Sequence, residues 1–499
     1  LLAQHKIPVP RGRAAATPEE ARVIAEEIGG PVMVKMQAWV TGRASLGGIK
    51  KAATPDEAAA AAAGMLGRRV KNFTVDWALV EEQVNIKREF YAGIIVDDVS
   101  QAPVIVFSSV GGTGIEEIAV EHPDKVAKTT IDVVRGLQDY QARDLARRAG
   151  IKGKLLNKLA GTLVRLWATA RDTEARAAEI NPLVLTAEGK LMAADCRITV
   201  DDYAVFRHPD LGIKIAREMD RPPTELEHIA YAVEADDYRG TFFFLQMQED
   251  FEKGDKVVGF HGAGGGGSMM SMDAVLNKGY KLANFVDTSG NPPASKVYRA
   301  ARIILSQPGL DGYFGSGSGV ASQEQFHSAR GLVKAFLEEP LTIPAVIRLG
   351  GNAEDQAVEI LERVNGIVPA PVEGYKKDDS PDFCAERLNA LIKEYTPPTK
   401  KTTGRTRPIA ERPYSFETVT GGTVTLDHAR CAECKSKICI ETCARGILSL
   451  NAEGLPVLNI TPEEAKKGRC VECLACDVEC YFHGNGGGFV ELPIKGLGN

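Results

Sequence analysis

Blocks of helical and strand periodicity alternate through the first 215 residues. Thr17-Pro18-Glu19-Glu20 and Thr54-Pro55-Asp56-Glu57 each set a capping Thr before a Pro, with an acid in third place. The Thr oxygen takes one unpaired amide and the Glu reaches back to another, so both stretches predict helix starts. β-rich runs lie at 32–35, 78–80, 89–96 and 103–107, and helices are expected over 57–66 and 153–171. Residues 225–395 read as a second α/β unit. There a strand over 256–260 runs into Gly262-Ala263-Gly264-Gly265-Gly266-Gly267, and strands over 283–286 and 345–349 recur at the spacing of a doubly wound parallel sheet.

One hairpin carries candidate chemistry. Two alternating strands flank Ala187-Glu188-Gly189, and Gly in third place supplies the left-handed conformation a three-residue loop needs. Centring the turn on Glu188 sets Thr186 opposite Lys190, Asn181 opposite Asp195 and Glu179 opposite Arg197. Opposed side chains sit ~5 Å apart, so the Asn181 amide oxygen and the Asp195 carboxylate can share one hard cation such as Mg²⁺. A polar cross-strand pair at a sheet rim is the alternative.

Composition narrows the classes. The chain has 499 residues, 44% hydrophobic and 25% charged, which suits roughly three globular domains. A net charge of −6 leaves no excess of cations for phosphate neutralisation, which argues against a nucleic-acid partner. No apolar run is long enough for a membrane span, and the N-terminal segment lacks a signal-peptide core and an initiator Met, so the sequence is expected to start inside its gene product. Eight of the ten cysteines fall between Cys431 and Cys480, which points to metal ligation in a reducing, cytoplasmic setting.

The cysteine spacing is informative. Cys431-x₂-Cys434-x₄-Cys439-x₃-Cys443 is followed by Cys470-x₂-Cys473-x₂-Cys476-x₃-Cys480. This matches two 4Fe–4S clusters in the bacterial arrangement, where the fourth cysteine of each run crosses over. Cys431, Cys434, Cys439 and Cys480 are expected on one cluster, and Cys470, Cys473, Cys476 and Cys443 on the other. The competing reading is a pair of Cys₄ zinc sites, which favour separated CxxC knuckles. Residues 430–499 carry eight basic and nine acidic side chains, so docking in a fixed complex is expected over free shuttling. The run from Cys470 with Gly484-Asn485-Gly486-Gly487-Gly488-Phe489 resembles the ferredoxin-like proteins that serve electron-transfer-flavoprotein dehydrogenases.

Several segments resemble the β subunit of succinyl-CoA synthetase. They are Glu179-Ile180-Asn181-Pro182-Leu183, Asp195, the 201–210 stretch, Val32–Gln37, the loop Gly42–Lys50 and Gly111–Glu117, followed by Ala283–Asp287 and Val346–Asn352. The similarity runs in order from residue 1 to about 395. It implies an ATP-grasp domain over 1–220 and a doubly wound, flavodoxin-like CoA-ligase domain over 221–395. A linker over 396–420 and a small α+β ferredoxin-like domain over 421–499 complete the expected α/β architecture.

The resemblance also implies roles. Lys35, Arg43, Glu81 and Glu89 would hold ATP, with Lys35 on the phosphates and Glu81 beside the adenine or the hinge. Asn181 and Asp195 would hold Mg²⁺, and Glu179 would assist phosphoryl transfer near a partner's histidine. Gly317, Ser318 and Gly319 would form an anion loop for the phosphorylated histidine. That histidine and most of the CoA site are expected on an α subunit, because none of the eight histidines here lies in a phosphohistidine motif; His261 is expected to be structural. The chain departs from the family pattern at Ala44-Ser45, Cys196-Arg197 and Ser316, which bears on nucleotide and acid preference.

Three functions remain open from the residues. The first is an ADP-forming carboxylate–CoA ligase β subunit with a fused two-cluster module tied to a redox partner. The second is a lapsed ligase scaffold acting as an electron-transfer subunit. The third is a component of an NAD(P)H:ferredoxin oxidoreductase that uses the glycine run and Asp287.

Overall fold

The computed structural model describes residues 1–499 except 41, 112–114, 214, 216, 218–220, 318, 320, 399–401 and 499, and leaves out the side chains of 116–118. It divides into two compact units, Leu1–Pro222 and Pro223–Asn499. Among the described residues, no helix is long and apolar enough to cross a membrane.

The first unit contains two sheets. Antiparallel strands Gly12–Ala15, Trp77–Glu82, Val32–Gln37 and Ile49–Ala52 pair in that order. Helices Pro18–Ile28 and Pro55–Ala63 begin as the caps predict: Thr17 accepts from the Glu20 amide at 3.2 Å and Thr54 from the Glu57 amide at 3.2 Å. Their alanine faces share a core with Val32, Val34 and Val80. The second sheet centres on strands Ala175–Thr186 and Ile86–Asp97, with Ala102–Ser108 and Val126–Thr130 beyond the latter. Phe90, Ala92, Ile180 and Leu183 point into a core with helices Asp139–Arg148 and Lys154–Asp172. By strand alternation, Glu89 and Glu179 lie on the opposite face.

In the second unit, parallel strands Asn284–Asp287, Val257–Ala263, Gly312–Gly317, Ala345–Arg348 and Val372–Tyr375 lie side by side. Counted along the chain, that is the order 2-1-3-4-5, and Phe243–Gln246 adds an antiparallel edge. Helices Ala294–Leu305, Phe326–Glu338 and Glu354–Glu362 pack in one core, and Gly265–Asn277 and Pro381–Glu394 in another. The cysteine-rich segment forms a sheet of Pro413–Glu417, Thr423–Asp427 and Gly488–Glu491, a small hairpin of Leu448–Leu450 and Pro456–Leu458, and helix Ala475–His483.

The expected linker differs from its composition. Residues 413–417 form a strand, and the second unit continues through 396–420 without division. Arg405 donates its amide to the Leu337 carbonyl at 2.8 Å and pairs with Asp477. A Cβ on Gly404 would stand 2.0 Å from the Glu338 carbonyl oxygen, so only glycine permits this approach. Gly404 and Arg405 thus lie as a strap on the helix Phe326–Glu338, held by a charge pair that composition alone cannot show.

That helix anchors the cysteine-rich segment. Lys334 Nζ, with no side-chain exposure, lies 2.6 Å from Asp477 Oδ2 and 2.5 Å from Glu338 Oε1. Arg330 Nε donates to Glu479 at 2.9 Å. Glu472, equally buried, takes Arg239 at 2.7 Å, Ser295 at 2.6 Å, Thr418 at 2.6 Å and Thr420 at 2.7 Å. Burial works against its charge, but Arg239 and these hydroxyls hold the Glu472 carboxyl down at about 2. All three acids within the run Cys470–Cys480 thus face cations of the α/β fold.

Candidate functional site

The hairpin forms in the expected register. Gly189 has φ +77°, and pairs Leu185↔Leu191, Leu183↔Ala193, Ile180↔Cys196 and Glu179↔Arg197 run through it. The Asn181 amide donates to the Asp195 carbonyl at 3.1 Å, so these two residues are opposed. The Ala194 amide donates to the Pro182 carbonyl at 3.1 Å, but Pro182 has no N–H to return, which leaves the Ala194 carbonyl to accept from Lys35 Nζ at 2.7 Å. Lys35 reaches across from strand Val32–Gln37, so the two sheets of the first unit meet at this hairpin.

Lys35 is 7% exposed and also pairs with Glu81 at 2.5 Å. Burial, reinforced by Asp195, holds the Glu81 carboxyl above its ordinary range although Lys35 and Arg43 pull it down. Arg43 donates to the Met36 carbonyl at 3.2 Å and forms an ion pair with Asp195, a pairing across 152 residues that local pattern does not reveal. Asp195 Oδ1 also accepts from the Cys196 amide at 2.9 Å. Four of the expected residues (Lys35, Arg43, Glu81, Asp195) are thus joined by direct contacts or through Ala194, and Asn181 is opposed to Asp195. Glu89 lies opposite Val184 and Glu179 opposite Gly93, both on one sheet face.

Comparison with known proteins places this geometry in a lineage. The ATP-grasp domain family matches residues 1–185. The chain is 41% identical over 363 residues to the β subunit of a GDP-forming succinate–CoA ligase from Thermus thermophilus, spanning 72% of this chain and 91% of the relative. It belongs to the succinate–CoA ligase β-subunit family. It is 38% identical over 381 residues to the β subunit of an ADP-forming ligase from Chloroflexus aurantiacus, spanning 76% and 95% of the two chains. The fold resembles ATP citrate lyase from Methanothrix soehngenii with TM-score 0.63 at 19% identity, covering 77% of this chain and 93% of that one. As a member of the β-subunit family, the chain is an acid–thiol ligase subunit with an α/β ATP-grasp fold.

In the second unit of this β-subunit relative, the glycine run turns from strand Val257–Ala263 into helix Gly265–Asn277, with Gly264 at φ +93°. Asp287 Oδ1 accepts from the Gly264 amide at 2.9 Å and from the Ser289 amide at 2.8 Å. The acid that a dinucleotide site would turn to a ribose is therefore engaged in bracing the glycine turn. His261 is buried with Nδ1 2.6 Å from the Tyr313 hydroxyl, and burial pushes it down to about 3. That is a structural histidine.

The expected anion loop lies at the end of strand Gly312–Gly317. Ser316 and Ser271 share a buried hydroxyl contact of 2.7 Å, which accounts locally for a serine at this position. Arg348 is braced by three carbonyls, of Asp379 at 2.6 Å, Lys377 at 2.7 Å and Gly317 at 3.3 Å. Gly319 has φ +77° and sits against this guanidinium, while Ser318 lies outside the described residues.

The eight clustered cysteines divide between two cavities. One is lined by Cys431, Cys434, Cys439 and Cys480, the other by Cys443, Cys470, Cys473 and Cys476. This is the crossed grouping that the spacing predicts. Burial pushes the free thiols up, Cys431 to about 11 and Cys439 and Cys470 to about 12. Among the described residues, no three or more His, Cys, Asp or Glu converge closely enough to hold a single metal ion.

Proposed function

We propose that this chain is the β subunit of an ADP-forming carboxylate–CoA ligase, succinyl-CoA synthetase-like, with an iron–sulfur module built onto its second unit. Lys35, Arg43, Glu81 and Glu89 would surround ATP. The opposed oxygens of Asn181 and Asp195 would hold Mg²⁺, which neutralises phosphate charge as the γ-phosphoryl leaves. Arg43 must then exchange Asp195 for a phosphate oxygen. Glu179, on the same sheet face as Glu89, would assist transfer to a histidine brought by an α subunit. Gly317, Ser318 and Gly319 would meet the phosphorylated histidine in a flavodoxin-like CoA-ligase domain over 221–395, with CoA held mainly by the partner. The observation that carries this reading is the hairpin register, which opposes Asn181 and Asp195 beside Lys35 and Arg43.

Residues 421–499 would be the ferredoxin-like domain. A 4Fe–4S cube spreads its thiolates around a cage rather than onto one ion, and two cavities with four cysteines each supply that donor set. Such clusters pass single electrons, and here they would link the ligase to a cytoplasmic redox partner. A scaffold that has lost ligase activity is favoured by one observation, the Arg43–Asp195 pair lying where the metal would sit. Titration calorimetry separates the two. Mg²⁺-dependent ATP binding that vanishes in Asp195→Ala supports the ligase; no ATP binding by the native chain overturns it. Iron and acid-labile sulfide each near eight per chain support the module, and stoichiometric zinc without sulfide refutes it.

A further inference from the structure

The two cysteine cavities differ in the cations beside them. The Cys431/Cys434/Cys439/Cys480 cavity has Lys437 at its edge, and that ammonium is turned inward onto the Cys431 carbonyl. The Cys443/Cys470/Cys473/Cys476 cavity is lined by Arg445 and Arg469, both exposed. Neither arginine has a carboxylate within ion-pair distance among the described residues. Other cations of the segment do: Arg430 pairs with Asp427, Lys466 with Glu417 and Lys495 with Asp236.

The charge that would offset these arginines is turned away. Of the nine acids in 430–499, Glu472, Asp477 and Glu479 are 2%, 0% and 4% exposed and face Arg239, Lys334 and Arg330. Six acids remain at the surface against seven bases, since Lys437 is turned inward, so a segment slightly acidic in sequence is slightly basic where it meets water. The Thr461 amide, at 2.9 Å, and after it Arg469 hold the Glu464 carboxyl below its usual range, and Glu464 makes no ion pair with Arg469 among the described residues. Unpaired guanidinium groups at the mouth of a redox cavity attract a negatively charged face and set its orientation.

We propose that the rim formed by Arg445 and Arg469, at the mouth of the Cys443/Cys470/Cys473/Cys476 cavity, is the docking surface for an acidic one-electron redox protein. The proposal rests on the iron–sulfur reading above. With a 4Fe–4S cluster held by Cys443, Cys470, Cys473 and Cys476, one electron would pass from the partner's reduced centre, thereby oxidised, to that cluster, thereby reduced; no proton or bond would change hands. Reversed, the same face serves an acidic acceptor.

The test is stopped-flow reduction of the full-length, cluster-loaded chain, with flavodoxin hydroquinone as the acidic probe and methyl viologen radical as a small cationic control. The second-order rate with flavodoxin should fall as salt rises. In the double variant Arg445→Glu/Arg469→Glu it should drop about tenfold or more at low ionic strength, within the range that electrostatic steering spans. The viologen rate should not fall. Arg445→Lys/Arg469→Lys keeps the charge and should stay within about twofold of native. A flavodoxin rate insensitive to charge reversal, or an equal loss with viologen, overturns the docking surface while leaving the clusters in place. Absence of any 4Fe–4S spectrum in the native chain overturns the iron–sulfur reading itself, and the docking surface with it.

Discussion

Replacing Asp477 by Asn tests whether buried charge fixes the cysteine-rich segment to the α/β fold. Asp477 has no exposure and takes three donors: Lys334 Nζ at 2.6 Å, the Val490 amide at 3.0 Å and Arg405. Removing one partner of a buried pair costs about 3–5 kcal/mol, because the other is left as an uncompensated charge. Here Lys334 keeps Glu338 at 2.5 Å, and Arg405, 11% exposed, can turn to water. Both features place Asp477→Asn near the lower end, about 3 kcal/mol, against a typical total of 5–15 kcal/mol. The double change Lys334→Met/Asp477→Leu should recover most of that loss, since Glu338 retains the Tyr298 hydroxyl at 2.5 Å and Arg302 at 3.3 Å. Guanidinium unfolding followed by circular dichroism gives the equilibrium cost. If the cysteines hold iron as proposed, its release to a chelator would report the cavity, because Asp477 follows Cys476 directly, and release should accelerate in the single variant alone. A cost under about 1 kcal/mol for Asp477→Asn, or a double variant worse than the single, refutes the clamp.

Two further outcomes follow from other groups. His261 stays neutral in the fold down to about 3 but takes a proton near 6.5 once unfolded, so stability is full above pH 6.5 and falls as pH drops toward 3. The slope is about 1.4 kcal/mol per pH unit from this one residue, and His261→Asn should flatten it; an unchanged slope in denaturation at pH 5–7 would disprove the assignment. Arg43→Gln should raise the Mg²⁺ affinity of the nucleotide-free chain about fivefold, since a partly exposed ion pair with Asp195 of about 1 kcal/mol no longer competes. Calorimetry showing unchanged affinity would mean that Arg43 does not shield Asp195.

What was legible followed from local geometry. Gly189 fixes a three-residue loop, a loop fixes register, and register placed Asn181 against Asp195 fourteen residues away. The cysteines divide between two cavities in the same two groups of four into which the spacing sorts them. What escaped was pairing at long range. Arg43 and Asp195 are 152 residues apart, and Arg405 and Asp477 are 72 apart; nothing in composition couples them. One signal was available. Arg330, Lys334 and Glu338 recur every four residues through a helix whose other positions are mostly apolar, and charges on one stripe of a buried helix demand partners of opposite sign. The acids of the Cys470 run were the unassigned candidates.

The strap at 404–407 decides whether the cysteine-rich segment is tethered or built in, and proteolysis reads the difference. A solvated, proline-rich linker with several cations is the preferred site of trypsin nicking. Here Arg405 is 11% exposed, its amide is bonded to Leu337 and its guanidinium to Asp477, so a protease must wait for the strap to lift. Cleavage after Arg405 should therefore follow opening of the second unit, and Asp477→Asn should hasten it. By linkage, a cost of about 3 kcal/mol corresponds to roughly a hundredfold more open strap, when opening is fast relative to cleavage. Native chain cut at Arg405 within the first minutes, with the 406–499 fragment released intact, would show a swinging arm. Retention of the fragment under those conditions would mean that whatever the eight cysteines hold keeps a fixed place relative to the sheet of the second unit, so that electron exchange is governed by who docks at the cavity mouth and not by how far the segment can reach.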